Sequence, residues 1–585
     1  FPVPLPHIPN YDVAGNVVKT IDERGNPTTF DFTDRFGGPN GEARSNTSPS
    51  ELSSVGQSSY AFPTRVINAL NMESFYQIDF YLGQAVDAED INGIVSSAYF
   101  DDSLNRPTRM IVAANNSTLK TQTSFSYDDV NRVVTTTSDL AQYLDNLKKT
   151  DTKFDGLGRQ VEARTYETAS NYIVTKQTYG GLSSQVSNPY RPWQGETAQW
   201  TTTVIDPLGR VKSVTTPDSA VVSTSYTGNE TTVTDQTGKK RKSISDSLGR
   251  ISRIYEDPLG LNHETIYGYN SRGNLVSVAQ TTLSQPLRTF VYDSFGRLVS
   301  ATNPESGTTT FKYDEVGNLV VKTDARGVST HVSYDALNRT TRRWYNGSNA
   351  TTATTHNSPV IPAGVGTSLE ANYFYDQQTL PAGAPSFTRG PSKGALVAVT
   401  YGTGSSDGNY FGRDPVGRDS LKIQRTSGVN YQMSLGYNAV GAITSLTYPS
   451  GRSVNYTYDG TGRLLSLAGN LGDGTGRTYA NNLTYSPFGG LTREDFGTNT
   501  PLYHKSFYNV RGQLFDTRLS SVNDAWDWNR GRHILYYSSN HLWGQSGADN
   551  NGTVRSAETW IPPANATLDQ ADTLIEDIYT YDSLN

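Results

Sequence analysis

Between residues 291 and 344 apolar and polar positions alternate in short runs, "RLVSAT", "TTTFKY" and "NLVVKT", each bounded by Asp, Asn, Gly or Pro. Runs this short, rich in Thr, Val and Tyr and with some two-residue alternation, predict β-strands, and the clusters between them predict turns. The turns are of two kinds. One follows a Tyr-Asp phrase at Tyr292, Tyr313 and Tyr334, spaced 21 residues apart. The other falls roughly half a period later, in "NPESGT" from Asn303, "DARGVS" from Asp324 and "YPSGRS" from Tyr448. One repeat is therefore one β-hairpin of two strands, each about 20 Å long.

The phrase recurs along the chain. Strong copies begin at Tyr11, Tyr127, Phe154, Tyr292, Tyr313, Tyr334 and Tyr458, and weaker ones at Phe100, Ile205, Ser245, Tyr269 and Tyr508. Tyr437 and Tyr458 are again 21 apart. A fixed period of this size is the mark of a repeat architecture. In each copy Asp opens a turn because its carboxylate accepts a backbone N–H two residues on. The fourth position must take positive φ, where Gly is free and Asn is the next cheapest. Gly296 and Gly317 fill it in two copies, and Asn131 and Asn338 are expected to do so in two others. The phrase reads as a type I turn followed by a left-handed residue. Its structural positions are Tyr292, Asp293, Gly296 and Arg297; Tyr313, Asp314 and Gly317; Tyr334, Asp335, Asn338 and Arg339; and Tyr458, Asp459, Gly462 and Arg463. The Tyr ends the incoming strand, where its ring can pack on a neighbour and its hydroxyl can reach a polar partner.

Hairpins must pair edge to edge to satisfy their backbones. The predicted fold class is all-β, one long antiparallel sheet. Around a dozen copies imply well over twenty strands, and sheets beyond about ten strands curl, split or flatten, so this one is expected to coil. Composition points the same way. Of 585 residues 35% are hydrophobic with Tyr counted. Exchanging the 36 Tyr for the 53 Gly gives roughly 38%, against a usual 45–50%, which hints at much surface per residue.

The pattern lapses in places. "FPVPLPHIP" at the start is proline-dense; 37–59 reads as a Gly/Ser/Pro-rich loop; 346–372 interrupts the repeats; 380–393 is loop-like. From 523 to 573 the phrase vanishes, and Trp526, Trp528, Trp543 and Trp560, four of the seven Trp, fall there. Packing against the sheet is the plain reading of that segment, and a plug or binding surface the sharper one. "DQADTLIEDI", 569–578, is expected to form a short helix. The divisions are 1–60 (N-terminal strands and loop), 61–522 (repeats, with insertions near 346–393) and 523–585 (the Trp-rich segment returning to a repeat phrase). The last phrase, "YDSLN", stops where other copies continue to Arg, and the chain reads as a piece of something longer.

Little chemistry stands out. The net charge of -7 gives no basic field for nucleic acid. Without cysteine there are no disulfides or thiolate metal sites. No run approaches the ~18 apolar residues of a membrane helix. "GSSDG" matches the nucleophile-elbow pattern at Ser406, but another turn follows it where a helix is needed. His533 and His541 have no metal-site spacing, "DNNG" at Asp549 lacks the Glu of a calcium loop, and "KKRK" at Lys239 reads as a solvated hairpin end. No catalytic, cofactor or metal residue is assigned.

The Y-D-x-x-G-R phrase at a period near 21, over most of residues 1–520, resembles the Rhs/YD-repeat family: bacterial Rhs polymorphic toxins, the C components of insecticidal toxin complexes, and teneurins. The resemblance implies that the ribbon spirals into a hollow β-shell, partial in this chain. It further implies an extracellular or surface location in bacteria, and a partner in a C-terminal toxin or cargo domain of the same parent chain. Toxin-bearing members end their shell with two D-P-x-G-L boxes. Here "DPLGL", 257–261, stands alone amid repeats and reads as a repeat turn like "DPLGR" at Asp206 and "DPVGR" at Asp414. The alternative function is an adhesin-like module binding carbohydrate or protein, suggested by 36 Tyr and seven Trp. Self-association through open strand edges is a further expectation.

Overall fold

The computed structural model describes residues 10–44, 49–280, 285–346, 370–402, 404–497, 501–567, 569 and 572–581. The proline-dense start, most of the 346–372 interruption and residues 582–585 lie outside them. Among the described residues run 43 β-strands in one sheet, a four-residue α-helix, Ser50–Ser53, inside the expected loop, and a 3-10 turn, Pro192–Gln194. The all-β antiparallel fold class read from the repeat is the one present. Leu298–Asn303 pairs with Gly307–Tyr313, which pairs with Leu319–Thr323, then Ser329–Tyr334 and Thr340–Asn346, every pair antiparallel. The Thr-rich composition is used across strands. Hydroxyls meet at Thr302 and Thr308 (2.9 Å), Thr323 and Ser329 (2.8 Å) and Thr484 and Thr492 (2.8 Å), and such cross-strand pairs stabilise a sheet by a few tenths of a kcal/mol each.

The chain folds as two units, each assembled from separated stretches. One comprises Phe1–Ser126, Thr137–Leu147 and Thr289–Ser450; the other comprises Tyr127–Thr136, Lys148–Arg288 and Gly451–Asn585. A flat ribbon would keep distant repeats apart, yet inside each unit they touch. In the first, Arg24 donates to the Asp335 carbonyl (2.6 Å) and lies 3.9 Å from the Asp314 carboxylate. The Asn92 side chain there donates to the Lys393 carbonyl (3.1 Å) and accepts the Lys393 N–H (2.9 Å). In the second, Arg463 meets Glu167 (2.7 Å) and Asn550 meets Asp218 (3.2 Å).

The core is dispersed. Ala43, Phe75 and Val95 form one small cluster, and Ala398, Tyr410 and Ile423 another, with Phe374, Phe387 and Leu421 against it. Stability therefore rests on strand pairing and on contacts between neighbouring repeats more than on one interior.

Three local expectations are corrected. Residues 573–578 form a strand, Thr573–Ile578, paired with Ser556–Ile561, and not a helix; long-range pairing of Thr, Leu and Ile overrides the helical look of the acidic stretch. In the copy at Tyr127 the left-handed residue is Arg132 (φ 56°), not Asn131. Asn131 instead donates its side-chain amide to Asp128 (2.7 Å), the task Arg performs elsewhere. "DPLGL" is a turn, but not that of "DPLGR": Gly209 and Gly417 have φ of 78° and 88°, whereas at 257–262 the left-handed residues are Asp257 (47°) and Asn262 (49°). With Leu261 in place of Arg, no guanidinium returns to the aspartate, and Leu261 N–H takes the Asp257 carboxylate (2.8 Å).

Candidate functional site

The repeated corner is built the same way each time. Tyr292 faces Leu298 across the hairpin, with a bulge between Val291 and Tyr292. Asp293 N–H donates to the Arg297 carbonyl (2.9 Å) and Gly296 N–H to the Asp293 carbonyl (3.1 Å), leaving Gly296 at φ 81°. The Asp293 carboxylate accepts the N–H groups of Phe295 and Arg297 on one oxygen (2.9 Å each) and Arg297 Nε on the other (2.7 Å). Burial pushes this carboxyl up, but those donors outweigh it and hold it below the usual aspartate range. Asp335 with Arg339 and Asp459 with Arg463 repeat the arrangement, with Asn338 at φ 61° and Gly462 at 88°. At Asp314 the fifth residue is Asn318, whose amide replaces the guanidinium (2.9 Å), and Gly317 has φ 95°.

The Arg then reaches into the next repeat. Arg297 lies over the ring of Tyr313, 5.0 Å from its centroid, Arg210 over Tyr226 (4.1 Å), Arg250 over Tyr269 (4.6 Å), Arg418 over Tyr437 (5.0 Å) and Arg463 over Tyr485 (5.0 Å). Each such Tyr donates its hydroxyl to the carbonyl of the residue after that Arg: Tyr313 to Leu298 (2.8 Å), Tyr226 to Val211 (2.9 Å), Tyr269 to Ile251 (2.8 Å), Tyr437 to Asp419 (2.5 Å) and Tyr485 to Leu464 (2.7 Å). Tyr334 does the same to Leu319 (2.9 Å), beyond Asn318. One repeat's Asp thus fixes an Arg that carries the next repeat's Tyr, and the Tyr closes the first repeat's outgoing strand. Where those corners carry Arg, both a cation–π contact and a hydrogen bond join the neighbours; at Asn318 the hydrogen bond alone does. Burial raises the phenol pKa of Tyr313 and Tyr485. Sequence reasoning placed the Asp, Gly and Tyr but missed the Arg's partner, because the separation from Arg to the following Tyr varies from copy to copy and gives no fixed signal.

Outside the corners, "GSSDG" is no nucleophile elbow, since strand Leu396–Tyr401 precedes it and strand Gly408–Arg413, not a helix, follows. Ser406 Oγ accepts from Arg425 Nε (3.2 Å). His533 bonds Thr559 and His541 stacks on Tyr536. No group of three metal-binding side chains occurs among the described residues.

The Trp-rich segment packs within the second unit. Trp526 stacks on Phe507 (5.4 Å, 13° between planes) and Trp543 meets Phe515 edge-on (5.0 Å). Beneath them Asp516, with no exposed side-chain surface, accepts from Arg518 (2.8 Å), Arg532 (2.7 Å) and Trp543 Nε1 (2.7 Å). In the same unit lies a cavity of about 1020 Å³, lined among others by Glu167, Arg191, Trp193, Arg463, Phe488 and Phe507.

A model of the RHS Repeat family matches residues 292–327, 313–343 and 437–482, the stretches in which the corner is most regular. The chain carries Rhs repeats. Comparison with curated proteins finds no sequence match. Solved structures do match in fold. The crystal structure of TcdB2-TccC3 superposes over 99% of this chain and 31% of its own, with a TM-score of 0.73 at 15% identity. TcdB2-TccC3 without its hypervariable C-terminal region gives 99%, 33%, 0.73 and 15%. The Photorhabdus luminescens Tc holotoxin pore with a substituted TccC3 gives 99%, 32%, 0.72 and 14%. The chain spans about a third of the length of the chains it matches. The Rhs-repeat sheet is thus a fold shared with these toxin-complex structures.

Proposed function

We propose that this chain is a wall: part of an encapsulating Rhs-repeat shell, in an extracellular or surface-exposed bacterial protein, that separates a toxin or cargo domain of the same parent from solvent and from the producing cell. The observation that carries this reading is the fold likeness to TcdB2-TccC3 over 99% of the chain. It is equally strong against the structure solved without the hypervariable C-terminal region, so the likeness resides in the repeat sheet itself. The linked corners supply what a wall needs, since each repeat is clamped to its neighbour and the sheet can grow without a thicker core. The proposed role is structural, with the corner residues at Tyr292, Tyr313, Tyr334 and Tyr458 as its joints and no catalysis of its own.

The test is protease protection of the intact parent protein, followed by mass spectrometry. Protection of one domain until the repeats are denatured supports the reading. Digestion of every domain outside the repeats at the native rate overturns it.

A further inference from the structure

The sheet of the second unit carries a row of like charges. Arg493 stands opposite Lys505, Lys505 opposite Arg518 and Arg518 opposite Arg532, on the consecutive strands Leu491–Phe496, Leu502–Tyr508, Leu514–Ser520 and Gly531–Tyr536. Residues directly opposite share a face, and like charges so placed repel. Three of these cations are neutralised. Arg493 meets Asp495 (2.7 Å), and Arg518 and Arg532 share Asp516 (2.8 and 2.7 Å). Lys505 is not. Only 4% of it is exposed, and among the described residues no carboxylate lies within 4.0 Å of its ammonium. The two acids whose fields reach it are turned elsewhere. Asp527 is engaged with Ser520 Oγ (2.7 Å) and the Asp569 carboxyl, and Asp524 with the N–H groups of Trp526 (2.7 Å) and Asp527 (3.2 Å). Lys505 itself donates to the Asp527 carbonyl (3.1 Å), one bond for a group with three donors. A buried cation without a counter-charge is costly. Burial, with Arg493 and Arg518 adding, accordingly lowers its pKa against the pull of Asp527 and Asp524.

Lys505 lines the cavity of this unit. The other charged groups of the wall are engaged. Glu167 is held by Arg191 and Arg463 (2.7 Å each), Arg463 also meets Asp459 (2.8 Å), and Glu196 accepts the Arg191 N–H (2.6 Å). Among the described lining residues Lys505 is therefore the cation without a carboxylate, and it matches a single negative charge. A phosphate dianion would bring a second charge into the site with nothing to neutralise it. The wall is otherwise rich in apolar side chains. Phe507 lies two residues along the same strand and so on the same face as Lys505, and Leu483, Pro487, Phe488 and Val510 line the cavity with it. The volume of about 1020 Å³ is far more than a carboxylate fills, and it lies at the top of the ~300–1,000 Å³ typical of small-molecule sites, which combine apolar walls with a few fixed polar groups. An extended peptide has less to gain. Such peptides bind by adding a strand to a free sheet edge, and the lining strands Arg477–Tyr485 and Leu502–Tyr508 are each paired on both sides.

We propose that this cavity binds a small organic monocarboxylate with an apolar body, the carboxylate accepting from the Lys505 ammonium and the body lying against Phe507, Phe488 and Leu483. The site is independent of any shell role. The experiment is calorimetry and saturation-transfer NMR on the whole chain at neutral pH. The probes are aryl carboxylates from benzoate to phenylbutyrate and alkyl carboxylates from hexanoate to decanoate, each beside its primary amide, with phenyl phosphate and a library of acidic peptides alongside. Binding of at least one carboxylate is expected, with its amide at least tenfold weaker. Lys505→Met should bring that carboxylate down to the affinity of its amide and leave the amide unchanged. Phe488→Ala should weaken acid and amide alike, and Phe295→Ala, at an exposed corner of the other unit, should alter neither. Thermal melting checks that Lys505→Met stays folded, and the comparison of acid with amide, made on the native chain, needs no variant. Absence of binding by every carboxylate, equal binding of acid and amide, carboxylate binding that survives Lys505→Met, or tighter binding of phenyl phosphate or of acidic peptides would each overturn the proposal.

Discussion

Asp516 offers the sharpest energetic test because its charge is wholly enclosed. Its side chain has no exposed surface, against 6% for Arg518 and 17% for Arg532. Burial pushes the carboxyl up, but Arg532, Arg518 and the Trp543 indole outweigh it and hold it below the usual range. Replacing Asp516 by Asn keeps the shape and removes the charge, so two desolvated guanidinium groups face each other uncompensated. Breaking a buried ion pair from one side costs about 3–5 kcal/mol. At about 1.4 kcal/mol per tenfold, local opening should rise roughly a hundred- to several-thousand-fold. With two units in the chain, a single denaturation curve would blur this loss. Hydrogen–deuterium exchange of peptides covering Leu514–Ser520 and Gly531–Tyr536 resolves it. The comparison is Asp293→Asn, which removes a similar carboxylate–Arg contact at a more exposed corner, where ion pairs contribute about 0–1 kcal/mol. If Asp516→Asn accelerates exchange in its own strands no more than Asp293→Asn does in its own, the reasoning from burial is refuted.

Tyr313→Phe keeps the ring under Arg297 and deletes the 2.8 Å bond to the Leu298 carbonyl; a loss of about 1 kcal/mol, read as faster exchange around that hairpin, is expected. Gly317→Ala has free space around the new methyl but places it at φ 95°, so it should cost about 1–2 kcal/mol through backbone strain alone, and Gly317→Asn less, as measured by local exchange. His331 is buried, stacked on Trp344 (5.2 Å), and its Nε2 has no hydrogen-bond partner among the described residues. Burial, with Lys312 adding, lowers its pKa, so the unfolded chain binds a proton there that the fold resists. That contribution is present above about pH 6.5 and is lost as pH falls through the lowered folded value. Hydrogen–deuterium exchange of peptides covering Ser329–Tyr334, corrected for the intrinsic rate at each pH, should show faster local opening at about pH 5 than at neutral pH, with less change in His331→Phe.

The strands and corners were legible in the sequence because both rest on local chemistry. The turn needs Asp at its start and a residue tolerant of positive φ at its fourth place, and Gly296, Gly317 and Asn338 declare it. Two copies are misread. The copy at Tyr127 has Asn in the fourth place, as the copy at Tyr334 does, yet its left-handed residue is Arg132 where the other's is Asn338; "DPLGL" lacks the Arg and folds as a different turn. The Arg-to-Tyr contacts were hidden because they join consecutive hairpins, and only the strand register brings Arg297 over Tyr313. Least legible were the pairings set by the curl of the sheet. Nothing around Arg24 announces Asp335, nor Glu167 its two arginines. The cavity is of this kind, since its two halves are some three hundred residues apart, as in the 296-residue separation of Glu167 and Arg463. The strand Thr573–Ile578 was misread for a related reason, as its partner Ser556–Ile561 lies beyond a stretch with no repeat phrase to set the register.

The central claim is that the Rhs repeats of this chain form a wall around something else. The most direct measurement is a cryo-electron-microscopy reconstruction of the intact parent protein. The account predicts a wall one sheet thick around an enclosed space, with density for a further domain inside it. A repeat region that closes on itself with no enclosed space, or a parent whose remaining domains all lie outside the repeats, would contradict it.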